Sequence, residues 1–155
     1  MRLICIAGLP GTGKTHLARK LAAETGATRL SRDDVRAEMF DPVTYSEGEK
    51  LAAFGEMLRR ARTDLLAGRD VILEGMPFSR RSERDAVRLL ANEVGAEFEL
   101  ILCVCPDEVA LARIASQSAE HPADDRSESL YFEVKSRFAP ITEDERAIII
   151  STSQA

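Results

Sequence analysis

The feature that most constrains the fold of this 155-residue chain is the run GLPGTGKT at 8–15, which follows the apolar stretch 3–7. It has the form G-x-x-x-x-G-K-[ST], with a buried strand predicted before it and a helix after it. In that context the glycines let several backbone N–H groups point at one anion, and the start of the helix adds the positive end of its dipole. The run therefore predicts a strand–loop–helix unit that binds nucleoside triphosphate, a plain glycine-rich turn being the alternative.

Along the rest of the chain, apolar runs of strand length alternate with helical patterns, which favours an α/β fold with a mostly parallel sheet. The predicted strands are 2–7, 27–30, 70–74, 98–104 and 147–150, and the predicted helices are 13–25, 33–40, 47–66, 82–94, 106–116 and 126–138. The 3- and 4-residue steps of helix 47–66 predict an inward face of Leu51, Phe54, Leu58, Ala61 and Leu65. We expect a single domain over 1–155, with a mobile polar lid near 116–126.

Composition sets limits on the class of protein. The chain is 45% hydrophobic and 30% charged, with a net charge of −5, which does not favour non-specific nucleic-acid binding. No apolar run approaches the length of a membrane span, and the first residues do not form a signal peptide. Cys5, Cys103 and Cys105 lie in apolar runs without zinc-site spacing, which indicates reduced core thiols. We therefore expect a cytoplasmic protein that does not associate with a membrane.

The phosphate loop supplies most of the candidate nucleotide-binding residues. Lys14 can reach the β- and γ-phosphates, and the Thr15 hydroxyl can bind Mg²⁺. The predicted nucleotide-binding residues of this run are Gly8, Pro10, Gly11, Thr12, Gly13, Lys14, Thr15 and His16. Neither His16 nor His121 has the spacing of a metal site.

Acidic and basic side chains follow the second and third predicted strands, where ligands of open α/β sheets bind. Asp33 can accept a proton from an attacking hydroxyl, and Arg36, three residues later on the same helix face, can hold the acceptor. The alternative is that Asp33 only complements a helix start and Arg36 is a surface charge. Glu74 at the end of a buried strand can hold Mg²⁺, partly through water, or be an ordinary strand-end carboxylate, while Gly75 would leave room for a ligand.

Further arginines are candidates with simpler alternatives. Arg113, after the fourth strand, can stack on a base, and Arg126, at the edge of the predicted lid, can close onto the phosphates. Surface salt bridging is the alternative for both. We expect the helix face that carries Arg80, Arg84 and Arg88 to be solvated.

Together these runs resemble the P-loop kinases. The resemblance is to the kinase domain of phage-type polynucleotide kinase and to related small AAA-type ATP-binding proteins, and more distantly to zeta toxin and chloramphenicol phosphotransferase. It is carried by the runs 8–15, SRDDVR at 31–36, Glu74-Gly75, and CPDE at 105–108 leading to Arg113. It implies a three-layer α/β/α sandwich with a five-stranded parallel sheet of order 2-3-1-4-5. It also implies that Asp33 is the general base and that Arg36 contacts the acceptor.

The chain departs from the phage enzyme at two places. Gln117 stands where that enzyme has its lid arginine, so either Arg126 replaces it or the lid chemistry differs. Glu74-Gly75 is more like zeta toxin than like the polynucleotide kinases, which leaves the acceptor open.

The leading functional hypothesis is an ATP- and Mg²⁺-dependent kinase that transfers the γ-phosphate to a hydroxyl acceptor, either a small molecule or a 5′-hydroxyl nucleic-acid end. Lys14, Asp33, Arg36 and Arg126 are its predicted catalytic residues, and Thr15 and Glu74 its predicted metal-binding residues. The alternatives are an ATP-hydrolysing switch without a small acceptor and a toxin-like nucleotide-sugar kinase. The oligomeric state stays open.

Overall fold

Five parallel strands form one sheet in the computed structural model, which describes residues 1–117 and 127–153. Their order is β2-β3-β1-β4-β5, so the fold class and the sheet order expected from the sequence are confirmed. The strands are β1 (Arg2–Ala7), β2 (Thr28–Ser31), β3 (Val71–Glu74), β4 (Glu97–Val104) and β5 (Ile148–Ser151). The helices are α1 (Lys14–Thr25), α2 (Arg32–Met39), α3 (Glu47–Leu66), α4 (Arg81–Val94), α5 (Asp107–Gln117) and α6 (Glu128–Arg137), and Glu143–Glu145 forms a 3₁₀ turn.

Helices cover both faces of the sheet because the central strand is apolar on both sides. Successive side chains of a strand point to opposite faces. In β1, Leu3 and Cys5 pack in the core cluster that includes residues of α3 and α4. Ile4 and Ile6 pack in the cluster that includes residues of α1. The result is the three-layer arrangement that the resemblance to P-loop kinases implied.

The strand register brings the carboxyl ends of the strands together at one edge. Ser31 at the end of β2 lies opposite Glu74 at the end of β3, and Ala7 at the end of β1 lies opposite Leu102. The loops that leave these ends carry the phosphate loop and the SRDDVR run. This edge is therefore the part of the fold that can assemble a site.

The buried face of α3 differs from the predicted one. Leu51 is 72% exposed, so its predicted inward position is wrong. The residues that are fully buried on α3 follow a 4-residue step: Ala53, Met57, Ala61 and Leu65. This rotation turns Leu51 away from the sheet, where it lines a cleft.

The predicted solvated face of α4 is wrong for Arg84, which is buried. Its Nε lies 2.7 Å from Glu145 Oε1, and its Nη1 donates a hydrogen bond of 2.8 Å to the carbonyl oxygen of Phe78. Burial acts to raise the pKa of Glu145, but the hydrogen bonds and charge of Arg84, with the backbone N–H of Thr142, hold that pKa below its usual value. A buried guanidinium with these partners ties α4 to the 3₁₀ turn.

The three cysteines are free thiols: Cys5 and Cys103 are buried and Cys105 is partly buried. Burial raises the pKa of Cys103 to about 11, which keeps it protonated at neutral pH. Over residues 1–117 and 127–153, no three His, Cys, Asp or Glu residues form a metal-binding group. Within the same ranges, every helix is too short or too polar to span a bilayer.

Candidate active site

A cleft of about 700 Å³ opens at the carboxyl ends of the strands. This volume lies within the range of small-molecule sites. Its walls come from the phosphate loop, the first half of α1, the start of α2, the first half of α3, the segment between β3 and α4, the start of α4, α5, α6 and the end of β5. The cleft therefore brings together parts of the phosphate loop, the SRDDVR run, Gly75 and Arg113, whereas Glu74 and the run 105–108 are not among its lining residues.

The phosphate loop is folded tightly against α5. A Cβ on Gly11, which has φ +78°, would lie 2.6 Å from the carbonyl oxygen of Ala110, so only glycine fits this contact. Lys14 Nζ and the Thr12 hydroxyl donate hydrogen bonds of 2.8 and 2.7 Å to the carbonyl oxygen of Leu9. Gly13 precedes α1 and has no side chain to cap its first N–H groups. The loop thus fits a phosphate group, which those N–H groups and Lys14 would bind.

The predicted nucleotide-binding residues divide into two sets. Those that line the cleft are Pro10, Gly11, Gly13, Lys14, Thr15 and His16. Gly8 and Thr12 are buried and do not line the cleft. The Gly8 N–H donates to the carbonyl oxygen of Pro77 at 3.1 Å, and the Thr152 hydroxyl donates to that of Thr12 at 2.6 Å. We therefore expect Gly8 and Thr12 to support the shape of the loop.

Thr15 and Glu74 meet at the end of β3. The Thr15 hydroxyl donates a hydrogen bond of 2.9 Å to Glu74 Oε1. The Glu74 side chain is only 1% exposed, and Arg29 of β2 forms an ion pair with its Oε2. A hydroxyl beside a carboxylate fits Mg²⁺, which favours oxygen ligands and is completed by water and substrate phosphates rather than by a full set of protein ligands.

Arg29 is a residue that the sequence analysis missed. It lies 45 residues before Glu74, and the register of β2 against β3 brings the two together. It also lies 3.3 Å from Asp34. The signal in the sequence was a basic residue inside a short strand, but its partner depends on the strand order.

Gly75 has a packing constraint in addition to its predicted role. The sequence suggested that it leaves room for a ligand, and it does line the cleft. Its φ of +83° and its neighbours show a second constraint: a Cβ would lie 2.2 Å from Ser31 Oγ and 2.7 Å from the backbone nitrogen of Arg32. Gly75 therefore allows the start of α2 to pack on the end of β3.

Asp33 and Arg36 form a buried ion pair on the cleft wall. Ser31 caps α2 by accepting a hydrogen bond from the Asp34 N–H, so Asp33 lies in the first turn. Arg36 Nη2 is 2.8 Å from Asp33 Oδ1, and the Arg36 guanidinium lies 4.5 Å from the centre of the Tyr45 ring. At 2% exposure, Arg36 is not the surface charge of the alternative interpretation.

The second terminal nitrogen of the Arg36 guanidinium, Nη1, is not satisfied by a hydrogen bond within the described part of the chain. Arg36 Nη1 is buried and has no hydrogen-bond partner among the described residues. The side chain lines the cleft. Because a buried donor without a partner is costly, this nitrogen favours a ligand oxygen at that position. Tyr45, which packs on Arg36, carried no recognisable signal in the sequence.

Arg113 of α5 connects the phosphate loop to the end of β5. Its Nη1 donates to the carbonyl oxygen of Gly11 at 3.3 Å and to the Thr152 hydroxyl at 3.2 Å. No carboxylate of the described residues forms an ion pair with Arg113. Its stacking on a base stays a prediction. Residues 118–126 of the predicted lid, which include His121 and Arg126, lie outside the described residues.

A family model described as "AAA domain" matches residues 3–141. The chain belongs to this AAA-domain family. A candidate kinase from Chloroflexus aurantiacus has the same fold, with a TM-score of 0.79, 28% identity, and coverage of 99% of this chain and 89% of that one. The AAA-domain protein described here is thus a P-loop kinase-like protein, and the resemblance seen in its sequence is confirmed.

Two curated relatives show how far the likeness extends. An uncharacterized protein of Mycobacterium tuberculosis is 34% identical over 130 residues, which are 76% of this chain and 26% of the mycobacterial protein. A cytidylate kinase of Methanosphaerula palustris is 33% identical over 100 residues, which are 57% of this chain and 54% of that kinase. The AAA-domain chain therefore spans about a quarter of the mycobacterial relative and about half of the cytidylate kinase.

Proposed function

We propose that the protein is an ATP- and Mg²⁺-dependent kinase that transfers the γ-phosphate of ATP to a hydroxyl acceptor. The observation that carries the proposal is the buried Asp33–Arg36 pair, which lines the same cleft as the phosphate loop. A carboxylate on the wall of a phosphate-binding cleft can take a proton from an alcohol, which a simple nucleotide switch does not need.

The donor half of the site would use the phosphate loop. Lys14 would exchange its bond to the Leu9 carbonyl oxygen for phosphate oxygens, and Arg113 would stack on the base. Thr15 and Glu74 would hold Mg²⁺, which when bound neutralises charge on the β- and γ-phosphates. Arg29 would hold the Glu74 carboxylate in position.

The acceptor half would use α2. Asp33 would accept the proton of the acceptor hydroxyl. The hydroxyl oxygen would form a bond to the γ-phosphorus as the bond between that phosphorus and the leaving ADP oxygen breaks. Arg36 would orient the acceptor by donating from Nη1, which is buried and lacks a described partner. We propose that an arginine of the lid, with Arg126 the candidate, stabilises the charge on the transferred group.

The cytidylate kinase relative favours a second candidate, in which a phosphate oxygen is the acceptor. A phosphate oxygen is already ionised and needs no general base. The two candidates therefore differ in their dependence on the carboxylate of Asp33.

Replacing Asp33 by Asn tests the proposal. We expect Asp33→Asn to lower the rate of phosphate transfer by about 10² to 10⁴-fold, the usual contribution of a general base, and to leave the affinity for ATP within about threefold. Transfer of label from [γ-³²P]ATP gives the rate, and titration calorimetry gives the affinity. Transfer at the wild-type rate would overturn Asp33 as the base and favour the phosphate acceptor.

Asp34→Asn is the matched control. Asp34 is adjacent to Asp33, but its side chain is 43% exposed and contacts Arg29. We expect this variant to transfer phosphate within about twofold of the wild-type rate, because exposed ion pairs contribute little. Thermal unfolding of both variants with ADP checks that Asp33→Asn, which leaves Arg36 without its carboxylate, is folded under assay conditions.

A further inference from the structure

Positive charge is concentrated in the cleft, although the chain as a whole has a net charge of −5. Among residues 1–117 and 127–153, three carboxylates line the cleft: Asp33, Glu47 and Glu83. Eight cationic side chains of the same ranges line it: Lys14, Lys20, Arg32, Arg36, Lys50, Arg80, Arg113 and Arg137. Lys14 and Arg113 belong to the donor side, and Arg36 and Arg137 form ion pairs with Asp33 and Glu133.

Part of this charge lies on the first half of α3 and the start of α4. Lys50, Leu51 and Phe54 occur at helical spacing after Glu47, and all four residues line the cleft. Arg80, which precedes α4, has its Nη2 3.8 Å from Glu47 Oε2. We call the set Lys50, Leu51, Phe54 and Arg80 the α3 wall.

The apolar part of the α3 wall is open to solvent. Leu51 is 72% exposed although it is a large apolar residue in a cleft. The Phe54 ring is partly buried and is held edge-on against Phe78, with 6.2 Å between ring centres. An apolar or ring-shaped ligand would remove this surface from water, which favours binding.

The cationic part of the α3 wall is weakly neutralised. No carboxylate of the described residues pairs with Lys50. Arg80 forms an ion pair with Glu47 alone within the described part of the chain, at 3.8 Å and with both side chains more than half exposed. Such exposed pairs contribute little, so an anionic ligand could replace Glu47 at small cost.

We propose that the α3 wall selects the acceptor, and that the acceptor is an alcohol with an apolar or ring-shaped body and a phosphate or carboxylate group. Lys50 and Arg80 bind the anionic group, and Leu51 and Phe54 contact the body. The hydroxyl then lies toward Asp33 on the neighbouring α2. This inference rests on the proposed kinase function only in treating the bound alcohol as the phosphate acceptor. Binding of the alcohol to the α3 wall can be tested without any phosphate transfer.

The test compares alcohols in pairs that differ in one anionic group. Cytidine 3′-monophosphate is compared with cytidine, and 3-phenyllactate with 2-phenylethanol, in titration calorimetry of the ADP-saturated protein at constant ionic strength. We expect the charged member of at least one pair to bind about tenfold more tightly. The pair that shows the preference distinguishes phosphate from carboxylate, and kanamycin, a cationic polyol, is expected not to bind.

Three variants and one control assign the preference to the α3 wall. We expect Lys50→Met and Arg80→Gln each to lower the preference for the charged member about threefold or more. Leu51→Ser should weaken both members of a pair alike, because it removes only apolar contact, and its exposure means that folding is unaffected. Arg62→Gln, on α3 but outside the cleft lining, should change neither affinity.

The binding results test the subsite, and the labelling results test the kinase activity. Equal binding of charged and neutral members, no saturable binding of either charged probe at 10 mM, or an unchanged preference in Lys50→Met and Arg80→Gln overturns the inference. A preference that these variants abolish supports it, even if [γ-³²P]ATP then labels no probe. In that last case the subsite stands and the proposed kinase function for these acceptors fails.

Discussion

Glu74 at the end of β3 and its partner Arg29 determine the charge of the candidate metal site. Glu74 is 1% exposed, and it is the acceptor for the Thr15 hydroxyl and the partner of Arg29. A carboxylate in such a place is stable only with compensation. Arg29, which lies on β2 and not on the phosphate loop, therefore stabilises the fold by compensating the buried charge of Glu74.

Removing Arg29 is expected to destabilise the fold. In Arg29→Met, Glu74 keeps its hydrogen bond from Thr15 but loses its countercharge, which costs about 3 kcal/mol. Urea unfolding monitored by circular dichroism measures the loss. The double variant Arg29→Met/Glu74→Gln should recover most of it, since no buried charge remains.

Arg69→Met is the control for this change. Arg69 pairs with Asp64 at 3.0 Å, but its side chain is 58% exposed, so its loss should cost less than about 1 kcal/mol. If Arg29→Met is no more costly than Arg69→Met, the buried ion pair does not have the role assigned to it.

At the scale of elements, the contact between β3 and α2 places the acceptor side of the cleft. Gly75 follows β3 and lies against Ser31, which caps α2, and against the backbone of Arg32. The position of Asp33 thus depends on a backbone contact between two elements that are adjacent in the sheet order but distant in the sequence.

Gly75→Ala is expected to displace the start of α2. The added Cβ would lie 2.2 Å from Ser31 Oγ, so α2 must shift and carry Asp33 with it. We predict a fall in phosphate transfer of about tenfold or more, because small misplacements of a reacting group are costly, with ATP affinity largely kept. Steady-state kinetics and ATP titration measure the two effects.

Gly68→Ala is the matched control, because Gly68 has a similar φ of +85° but no atom within 4 Å of the added Cβ. It should show only the cost of backbone strain, about 1 kcal/mol in stability, and normal transfer. Equal loss of transfer in the two variants would show that strain, and not the contact with α2, is responsible.

Periodicity predicted the elements because each signal is local. Helix α3 begins at Glu47 and ends at Leu66 as predicted, and the cap at Ser31 was visible next to the helix it starts. The predicted buried face of α3 was wrong at Leu51. Several faces of this 20-residue helix carry apolar residues, and packing on the sheet determines which face is buried.

Ion pairs between residues far apart in the chain could not be predicted from the sequence. Arg84 and Glu145 are 61 residues apart and Arg29 and Glu74 are 45 apart, so each pair exists only after the sheet is assembled. The loop residues of the candidate site could be named from their motif, but their countercharges could not. The roles of Lys14, Asp33, Arg36 and the other site residues stay predictions.

At the scale of the whole molecule, arginines hold surface carboxylates in their charged form. Hydrogen bonds from Arg59 and Arg60 lower the pKa of Glu56 to about 2, and those from Arg81 and Thr142 lower the pKa of Asp144 to about 2. A carboxyl with a depressed pKa adds stability above the pKa of the unfolded chain, about 4. That stability is lost as the pH falls from about 4 towards 2.

We therefore expect the free energy of unfolding to decrease steadily below pH 4. In Arg81→Gln the pKa of Asp144 returns towards its ordinary value, so this variant should lose less stability than the wild type between pH 4 and pH 2. Urea unfolding at several pH values measures both curves. Parallel curves would show that Arg81 does not hold the pKa of Asp144 down.

The fate of the γ-phosphate tests the central claim most directly. Wild-type protein is incubated with [γ-³²P]ATP, Mg²⁺ and a panel of nucleosides, 5′-hydroxyl oligonucleotides and sugar acids, and the products are separated. A kinase with the site described here should place label on a hydroxyl of at least one acceptor, with one ADP formed for each labelled product. Label that is found only in inorganic phosphate, at a rate independent of every acceptor, would contradict the account and indicate a nucleotide-hydrolysing switch.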